Sequence, residues 1–432
     1  MLSKKIVNFN DLENLSIKVK IGRKNFNAIL LQKNNYLYMR IDMLKDIELW
    51  RDLDNRFEIL CGEFVYKNEK VTFIGCEFIG QSSTGINPIK EATVDYRIDR
   101  ILLGKKITKA EYKSISKYEV VYNNIDCFTN DKPYSMNEKL EYKGIATNYD
   151  FLLKDRKISL CFSCNCELGD NSFTIDRSTS VMFDHDKKKL NVAKVISNIY
   201  IFRNFLMLLL KKAIIVEKQF VFIGDEKCQL IDCRDDILPS VGKDLEEHLN
   251  HRCLKIKNIS NLSEIFEAFL NDYERLEPLI ELYYNVTQFK VPNLTRFVNS
   301  ITMLEYCSRT FDYVSALNLT KQKKTNQPKS KVNDAEYKDM VISLIGNVNE
   351  VYNFSQNEIE QIADNIKNAR VFYIHCKNKK SVKKLSYDEQ FSYSYFIQDV
   401  IILNIYKNIG LDLQNFEYIS FLDFYYEKKE LL

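Results

Sequence analysis

An arginine and a histidine, Arg370 and His375, are separated by four residues near the end of a predicted helix. The apolar stripe of that helix includes Ile362 and Ile366, and at about 100° per residue Arg370 falls inside the same stripe. A guanidinium that faces a helical core must find an anion, because an unpaired buried charge is strongly unfavourable. The pattern therefore predicts a negatively charged partner for Arg370 on another helix.

Glu305 is the candidate partner, because it interrupts the apolar stripe of an earlier predicted helix over 294–311. Taken alone, a Glu305–Arg370 pair has a purely structural explanation, in which it fixes the register of two helices. His375 adds a chemical explanation, because it lies in a basic run: no acidic residue occurs from Arg370 through Lys384. Five lysines follow the histidine in this run: Lys377, Lys379, Lys380, Lys383 and Lys384. An imidazole and a guanidinium in basic surroundings suit a phosphodiester substrate.

The segment Arg370-Val-Phe-Tyr-Ile-His375 resembles the signature of HEPN domains, an arginine and a histidine four to six residues apart near the end of a bundle helix. The segment from Arg296 to Arg309, which contains Glu305, looks like the helix with an acidic residue in ApeA-type HEPN proteins, which act in abortive anti-phage defence. That family also places a β-rich domain before the bundle, and the segment from Ile201 to Leu210 resembles one near the end of that domain.

The resemblance implies a metal-independent endoribonuclease that leaves 2′,3′-cyclic phosphate ends and needs no cofactor. In this role His375 moves a proton to or from the attacking 2′-hydroxyl or the leaving 5′-oxygen. Arg370 holds the scissile phosphate, and Glu305 orients Arg370. Arg309, one turn after Glu305, either touches the same phosphate or pairs with Glu305.

Val371 departs from the family pattern, which commonly has Asn directly after the arginine. Asn368, on the helical face of His375, is a candidate substitute and joins Arg309 and the lysines as an expected RNA-binding residue. The departure keeps a second hypothesis open, a catalytically silent HEPN module that binds RNA or a partner protein.

The expected partners follow from the same geometry and resemblance. Five residues on an ideal helix place Arg370 and His375 about 140° apart, so a homodimer formed through the bundle is expected to complete one shared cleft. The expected substrate is RNA, with tRNA as one candidate. A phage-derived trigger is expected to act on the N-terminal domain.

The elements that must position these residues divide the chain in two. Up to about residue 190 the apolar residues alternate with polar ones, as in a hairpin over 57–79 and a strand over 158–166, which favours an antiparallel β-sandwich or barrel-like domain. Residues 1–257 are assigned to this domain, with a helix near 192–212, and residues 258–432 to an all-α HEPN helical bundle. The predicted class is α+β multidomain.

Bundle helices are predicted at 294–311, 335–352, 358–375 and 387–409. An earlier helix starts after Ser260, and Pro278 is expected to kink or restart it. A basic polar stretch over 321–331 is expected to form a loop.

A zinc-binding structural protein is the third hypothesis. Its candidate ligands are Cys161, Cys164, Cys166, His248, His251 and Cys253. Strand alternation already explains Cys164 and Cys166 as core-facing, so no metal site is expected. The sequence Asp184-His185-Asp186 has the composition of a turn tip. No glycine-rich phosphate loop is present, which argues against a nucleotide-dependent enzyme.

Length and composition set the remaining limits. A chain of 432 residues is too long for one core, and its 62 basic and 59 acidic residues leave a net charge of +3, which predicts no polyanion partner by itself. The first fifteen residues lack the apolar centre of a signal peptide. The apolar stretch over 196–216 contains three basic residues and predicts a buried helix rather than a membrane span. A cytoplasmic protein with reduced cysteines is expected.

Overall fold

The structure is a computed structural model. It describes residues 9–34, 36–42, 56–66, 68–84, 91–123, 125, 134–136, 140–142, 149–168, 173–186, 188–211, 214–233, 259–288, 291–311, 329–374, 385–413 and 431. The described residues form an antiparallel β-rich region followed by a helical region, which confirms the predicted α+β class.

Six antiparallel strands close into a barrel. They are β1 (Ser16–Ile21), β2 (Lys24–Lys33), β3 (Tyr36–Asp42), β4 (Phe57–Phe64), β5 (Lys70–Thr84) and β6 (Glu91–Leu103). They pair in the order β6, β3, β2, β1, β4, β5, and β5 pairs back onto β6. The sheet thus closes on itself, and its inner face becomes one apolar core.

Alternation of apolar and polar residues builds this barrel. In β1 the side chains of Ile17, Val19 and Ile21 are buried, whereas the lysines between them are exposed. Such a period of two places every second residue on the inner face of a curved sheet. The predicted hairpin over 57–79 is confirmed as the antiparallel pair of β4 and β5.

Six further strands extend the sheet from β6 as an open arm. They are β7 (Lys117–Tyr122), β10 (Tyr149–Leu152), β11 (Lys157–Leu168), β12 (Phe173–Asp184), β13 (Val216–Ile223) and β14 (Glu226–Asp232). Outward from β6 the order is β14, β13, β7, β12, β11, β10. The remaining elements here are the short helix α1 (Lys109–Tyr112) and the strand pair β8 (Tyr134–Met136) and β9 (Leu140–Tyr142).

Helix α2 (Val192–Leu210) is rich in apolar residues, above all in its second half. It is the one described helix that is long and apolar enough to cross a membrane, but most of that stretch is buried inside the protein. The core helix of a folded domain has the same length and composition. The burial of Ile199, Phe202 and Leu206 confirms the predicted buried helix.

The chain divides into two compact units, and the division falls inside α2. The first, the β-rich unit, comprises residues 1–126, 131–203 and 215–240; the second, the helical unit, comprises residues 127–130, 204–214 and 241–432. The predicted boundary at residue 257 kept the whole of α2 N-terminal, so the observed division differs there. In the β-rich unit Tyr122 Oη donates to the Ile199 carbonyl at 2.8 Å, which fixes the first half of the helix.

The second half of α2 packs within the helical unit. The Phe205 ring lies 4.8 Å from that of Phe266, centroid to centroid. Asn204 Nδ2 donates to Tyr273 Oη at 2.9 Å. An amide and a hydroxyl buried together satisfy each other, so this half of the helix belongs to the core of the helical unit.

A buried ion pair follows at the end of α2. Lys211 Nζ lies 3.3 Å from Asp399 Oδ1, and the two side chains are 8% and 7% exposed. Tyr406 Oη donates to the Leu208 carbonyl one turn earlier, so the last turn of α2 is held by both charged and neutral contacts. Charges this deeply buried are stable only when paired.

The helical unit contains six further helices in its described residues. They are α3 (Leu262–Gln288), α4 (Asn293–Thr310), α5 (Lys329–Asn347), α6 (Asn349–Tyr352), α7 (Gln356–Tyr373) and α8 (Tyr387–Asn408). Helix α3 runs through Pro278, so of the two alternatives predicted there, a kink or a restart, the restart is wrong. Helix α5 begins at Lys329, within the last three residues of the stretch expected to form a loop. Helices α7 and α8 begin with capping boxes at Ser355 and Ser386, which satisfy their first backbone N–H groups.

The predicted turn tip after β12 holds a buried imidazole. His185 Nε2 lies 3.1 Å from Tyr118 Oη, and the two rings stack with centroids 5.5 Å apart. Asn198 Nδ2 donates to the same hydroxyl at 3.1 Å. Burial, helped by the nearby positive charge of Arg156 and opposed by Asp155, lowers the pKa of His185 to about 4.

We expect this imidazole to make the β-rich unit sensitive to acid. The unfolded chain binds a proton on His185 below about pH 6.5, whereas the folded protein does so only near pH 4. Stability present above pH 6.5 is therefore lost progressively down to pH 4, by up to roughly 3 kcal/mol. Chemical unfolding of wild type and of His185→Gln across this range measures the effect. Identical pH dependence in the two proteins would contradict it.

Candidate functional site

Glu305 and Arg370 meet between α4 and α7. Arg370 Nη2 donates to Glu305 Oε2 at 3.0 Å, and the side chains are 17% and 26% exposed for arginine and glutamate respectively. Each charge occupies the apolar stripe of its own helix, and the contact predicted from those stripes is present. Partial burial strengthens the attraction, because the surroundings screen it less than water does.

A second guanidinium shares the same carboxylate. Arg309 Nη2 donates to Glu305 Oε1 at 2.6 Å, and the Arg309 side chain is 68% exposed. Of the two alternatives that the sequence left open for Arg309, the structure has the pairing with Glu305. The Arg309–Glu305–Arg370 cluster holds two positive charges and one negative charge. Because an exposed ion pair contributes little stability, Arg309 is able to exchange Glu305 for another anion.

Tyr337 of α5 packs its ring against the guanidinium of Arg370. Its ring centroid lies 4.5 Å from Arg370 Cζ, and the ring is buried. The Tyr337 hydroxyl donates to the Ile301 carbonyl at 3.4 Å. Burial raises the pKa of Tyr337 well above its ordinary value, so the phenol stays neutral beside the guanidinium. A planar guanidinium stacked on a ring and bonded to a carboxylate is held in one orientation.

Sequence reasoning missed Tyr337. The residue belongs to an apolar repeat with Val341 and Leu344, a pattern that is typical of a core-facing side chain. No local signal distinguishes a core tyrosine from one that supports a charge on another helix. The packing of α5 against α7 supplies that information.

The end of α7 is tied to the start of α8. Tyr373 Oη donates to the Leu385 carbonyl at 3.2 Å and accepts from Gln390 Nε2 at 3.1 Å. The Tyr373 ring also meets Phe297 of α4 edge-on, with centroids 5.8 Å apart. The described residues on either side of the 375–384 segment are therefore close together, one turn beyond Arg370.

Several predicted site residues lie outside the described residues. They are His375, Lys377, Lys379, Lys380, Lys383 and Lys384. Asn368 is described and half-buried, but it lies two positions before Arg370, about 200° around the helix, and so faces away from the cluster. The structure thus brings together three predicted residues, Glu305, Arg309 and Arg370, and it leaves the assignment of His375 as a prediction.

The zinc hypothesis finds no site among the described residues, which contain no group of three or more His, Cys, Asp or Glu side chains able to hold a metal. Cys161 is half-buried, and burial together with nearby carboxylates raises the pKa of its thiol. The side chains of the other five candidate ligands lie outside what the structure describes. Burial of Cys161 favours the neutral thiol over the thiolate that zinc requires.

The fold defines an α+β protein in which a closed antiparallel barrel with an open arm precedes a helical unit. The family model for ApeA N-terminal domain 1 matches residues 23–272, more than half of the chain. The chain therefore belongs to the ApeA family of anti-phage defence proteins, as the sequence resemblance indicated. No curated protein and no solved structure matches it.

Proposed function

We propose that this protein is a metal-independent endoribonuclease of the HEPN type that acts in abortive anti-phage defence. The single observation that carries the proposal is the Arg309–Glu305–Arg370 cluster, in which one carboxylate orients two guanidinium groups. Nearby, the sequence from Arg370 to Lys384 is rich in lysine and has no acidic residue. A guanidinium that is already held in position stabilises the negative charge that develops on the phosphate in the transition state.

The proposed reaction is an internal transesterification of RNA. The 2′-oxygen attacks phosphorus and loses its proton, the bond from phosphorus to the 5′-oxygen breaks, and that oxygen takes up a proton. His375 moves one of these protons, and Arg370 neutralises charge that builds up on the non-bridging oxygens. Products are a 2′,3′-cyclic phosphate and a 5′-hydroxyl.

Glu305 and Tyr337 act on the reaction through Arg370. The carboxylate bonds to Arg370 Nη2 and the ring lies against the face of the guanidinium, so the two together set the direction in which Arg370 meets the phosphate. Arg309, the exposed member of the cluster, meets the incoming polyanion first and is able to leave Glu305 for a phosphate oxygen.

A homodimer is part of the proposal. A helix continued to His375 would place this residue about 140° from Arg370, so a second copy paired through the helical unit would complete one shared cleft. The β-rich unit would then restrain the nuclease until a phage-derived trigger binds to it.

A silent HEPN module that binds RNA or a partner protein is the second candidate. Val371 favours it, because the position where the family commonly has Asn holds an apolar side chain that is buried in the helical unit. Such a module would keep the basic surface and bind RNA without cutting it.

Incubating the purified full-length chain with total RNA in excess EDTA tests the proposal. We expect cleavage to persist in EDTA, because no step in the mechanism uses a metal, and the fragments to carry 2′,3′-cyclic phosphate ends. Digestion of the fragments with a phosphatase that requires an open phosphate monoester serves as the end-group control. Cleavage that stops in EDTA and returns with magnesium would contradict the mechanism, and RNA binding without cleavage would support the silent module.

A further inference from the structure

Helix α8 is buried on most of its surface, and nearly all of its side chains from Gln390 to Tyr406 lie in the interior. Several of these buried side chains are polar or charged, and each of them requires a partner there. The partners lie on the surrounding helices. They therefore show which helices α8 holds in a fixed register.

Two of these side chains bond to the helices that support Arg370. Gln398 Nε2 donates to Ser300 Oγ of α4 at 3.1 Å, and both side chains are buried. Asn404 Nδ2 donates to the Leu344 carbonyl of α5 at 3.0 Å. The carboxylate that bonds to the guanidinium belongs to α4, and the tyrosine ring that packs against it belongs to α5. Both supports of Arg370 thus stand on helices that are bonded to α8.

Helix α7, which carries Arg370 itself, is bonded to α8 in the same way. Asn365 Nδ2 donates to Tyr393 Oη at 2.9 Å. Gln390 Nε2 donates to Tyr373 Oη at 3.1 Å. Asn365 precedes Arg370 by five residues and Tyr373 follows it by three, so the two bonds lie on either side of the guanidinium along the helix. The three helices that build the cluster and its supporting ring are therefore each bonded to α8.

The same helix is bonded to the end of α2. Asp399, which directly follows Gln398, forms the buried ion pair with Lys211 at 3.3 Å. The backbone of Lys211 is in the left-handed region, with a φ of +50°, which residues other than glycine seldom adopt. A residue in this conformation persists only where its surroundings fix it, and such residues are common at switch regions. The ion pair with Asp399 is one of the contacts that fix Lys211.

Polar contacts of this kind depend on position more strongly than apolar packing does. Apolar side chains stay in contact when one helix slides along another by about 1 Å, whereas a hydrogen bond stretched by about 1 Å is lost. A small displacement of α2 therefore has two outcomes at Lys211. Either the ion pair is kept and α8 moves with α2, or the pair breaks and α8 is released.

We propose that the end of α2 controls the geometry of the cluster through α8. While the Lys211–Asp399 pair is formed, α8 holds α4, α5 and α7 in the register that brings Glu305 to Arg370. A displacement of α2 that breaks the pair releases α8 and loosens this register. The first half of α2 belongs to the β-rich unit, so an event there would reach the cluster through this pair. The inference rests on the proposed function for its purpose, the control of cleavage, but concerns only the positions of helices.

A purely structural role of these buried contacts is the competing explanation. In that case their loss would lower the stability of the whole helical unit evenly and would single out no helix. The proposed control instead predicts that the segments around Glu305 and Arg370 respond more than other segments do. Local opening, measured segment by segment, separates the two explanations.

Amide hydrogen exchange of the full-length chain, followed by mass spectrometry, tests the inference without RNA. In the variant Gln398→Met the side chain keeps its length but loses its bond to Ser300. We expect the segments of α4 and α7 that carry Glu305 and Arg370 to exchange about tenfold faster, because the loss of one buried hydrogen bond favours opening by about that factor.

The matched control is Lys407→Met. This variant also removes a bond between α8 and α5, from Lys407 Nζ to the Asn347 carbonyl at 2.7 Å, but at an exposed position. Exchange of the same two segments should differ from wild type by less than about twofold. Equal rates in Gln398→Met and Lys407→Met would overturn the inference. So would an even rise in every helix of the unit under Gln398→Met.

The double replacement of Lys211→Met with Asp399→Leu separates position from stability. An apolar pair restores much of the stability of the buried contact but has no preferred direction, so it does not fix α8 against α2. We expect exchange of the segments that carry Glu305 and Arg370 to remain faster than in wild type, by about threefold or more. Wild-type exchange in the double replacement would assign the ion pair to stability alone and would overturn the control by α2.

The outcomes also separate this inference from the proposed function. Faster exchange of the two segments in Gln398→Met, without cleavage in EDTA by the wild type, would reject the ribonuclease and keep the control through α8. Cleavage in EDTA with unchanged exchange in Gln398→Met would do the reverse.

Discussion

Replacing Arg370 or His375 with alanine is expected to abolish RNA cleavage and any growth arrest caused by expression of the protein. Loss of a general acid or base typically lowers the rate by 10²–10⁴-fold, and loss of a group that stabilises transition-state charge lowers it by about 10²–10³-fold. Single-turnover cleavage of a labelled RNA measures both effects. Wild-type cleavage by either variant would remove that residue from the catalytic machinery.

Lys367→Ala is the matched control, because it removes another cation from α7, three residues before Arg370. Lys367 Nζ bonds to Asp364 Oδ1 at 2.7 Å, and Lys367 lies about 60° around the helix from Arg370. Its loss should change the cleavage rate less than about twofold. A large effect of Lys367→Ala would mean that general positive charge, rather than the position of Arg370, determines activity.

The variant Glu305→Gln tests whether the negative charge of Glu305, and not only its shape, is needed to orient Arg370. Glutamine keeps the shape of the carboxylate but not its charge, so Arg370 remains in place with a weaker partner. We expect a partial loss of activity together with a loss of stability of roughly 1–3 kcal/mol. The Lys367→Ala control should show neither change.

Lys211→Met is expected to have the largest effect on stability, about 3 kcal/mol or more. Methionine keeps the length of the side chain but removes the cation that faces Asp399 in the interior of the helical unit. Breaking a buried ion pair from one side is far more damaging than replacing both partners. Chemical denaturation followed through the helical circular dichroism signal measures the loss.

The matched control for Lys211→Met is Arg275→Met. Arg275 Nη2 pairs with Asp272 at 3.0 Å on the exposed surface of α3, where an ion pair contributes about 0–1 kcal/mol. The double replacement Lys211→Met with Asp399→Leu should recover much of the lost stability. Similar losses for Lys211→Met and Arg275→Met would show that burial of the pair has no energetic consequence.

The Glu305–Arg370 contact could be predicted because each charge interrupts an otherwise apolar stripe, and an interruption of this kind demands a partner. Tyr337 could not be predicted, because its position in an apolar repeat has the ordinary explanation that it fills the core. Arg309 was left between two roles, since a residue one turn from Glu305 is within reach of both a carboxylate and a ligand. Packing of α5 against α7 places Tyr337 beside Arg370, whereas Arg309 pairs with Glu305 within α4.

The same distinction applies to the fold. Alternation shows which residues of β1 face inward, but the closure of the barrel depends on pairing between β5 and β6 and between β1 and β4, which no local pattern encodes. Pro278 gave a local reason to end α3, yet the buried Leu276, Leu279 and Ile280 around it hold the helix together. Helix α2 is rich in apolar residues along its whole length, and its sequence does not show which core each half enters.

The division of α2 between the two units also limits where the chain can be cut into separately expressed fragments. A gene fragment that starts at residue 258 would encode α3 to α8 but would lack Asn204 to Lys211, which the helical unit uses as part of its own interior. Such a fragment would expose the faces of Phe266 and Tyr273 to water and would be prone to aggregation. The helical unit is thus made from separate stretches of chain, so a simple end-to-end fusion could not transfer it whole to another protein.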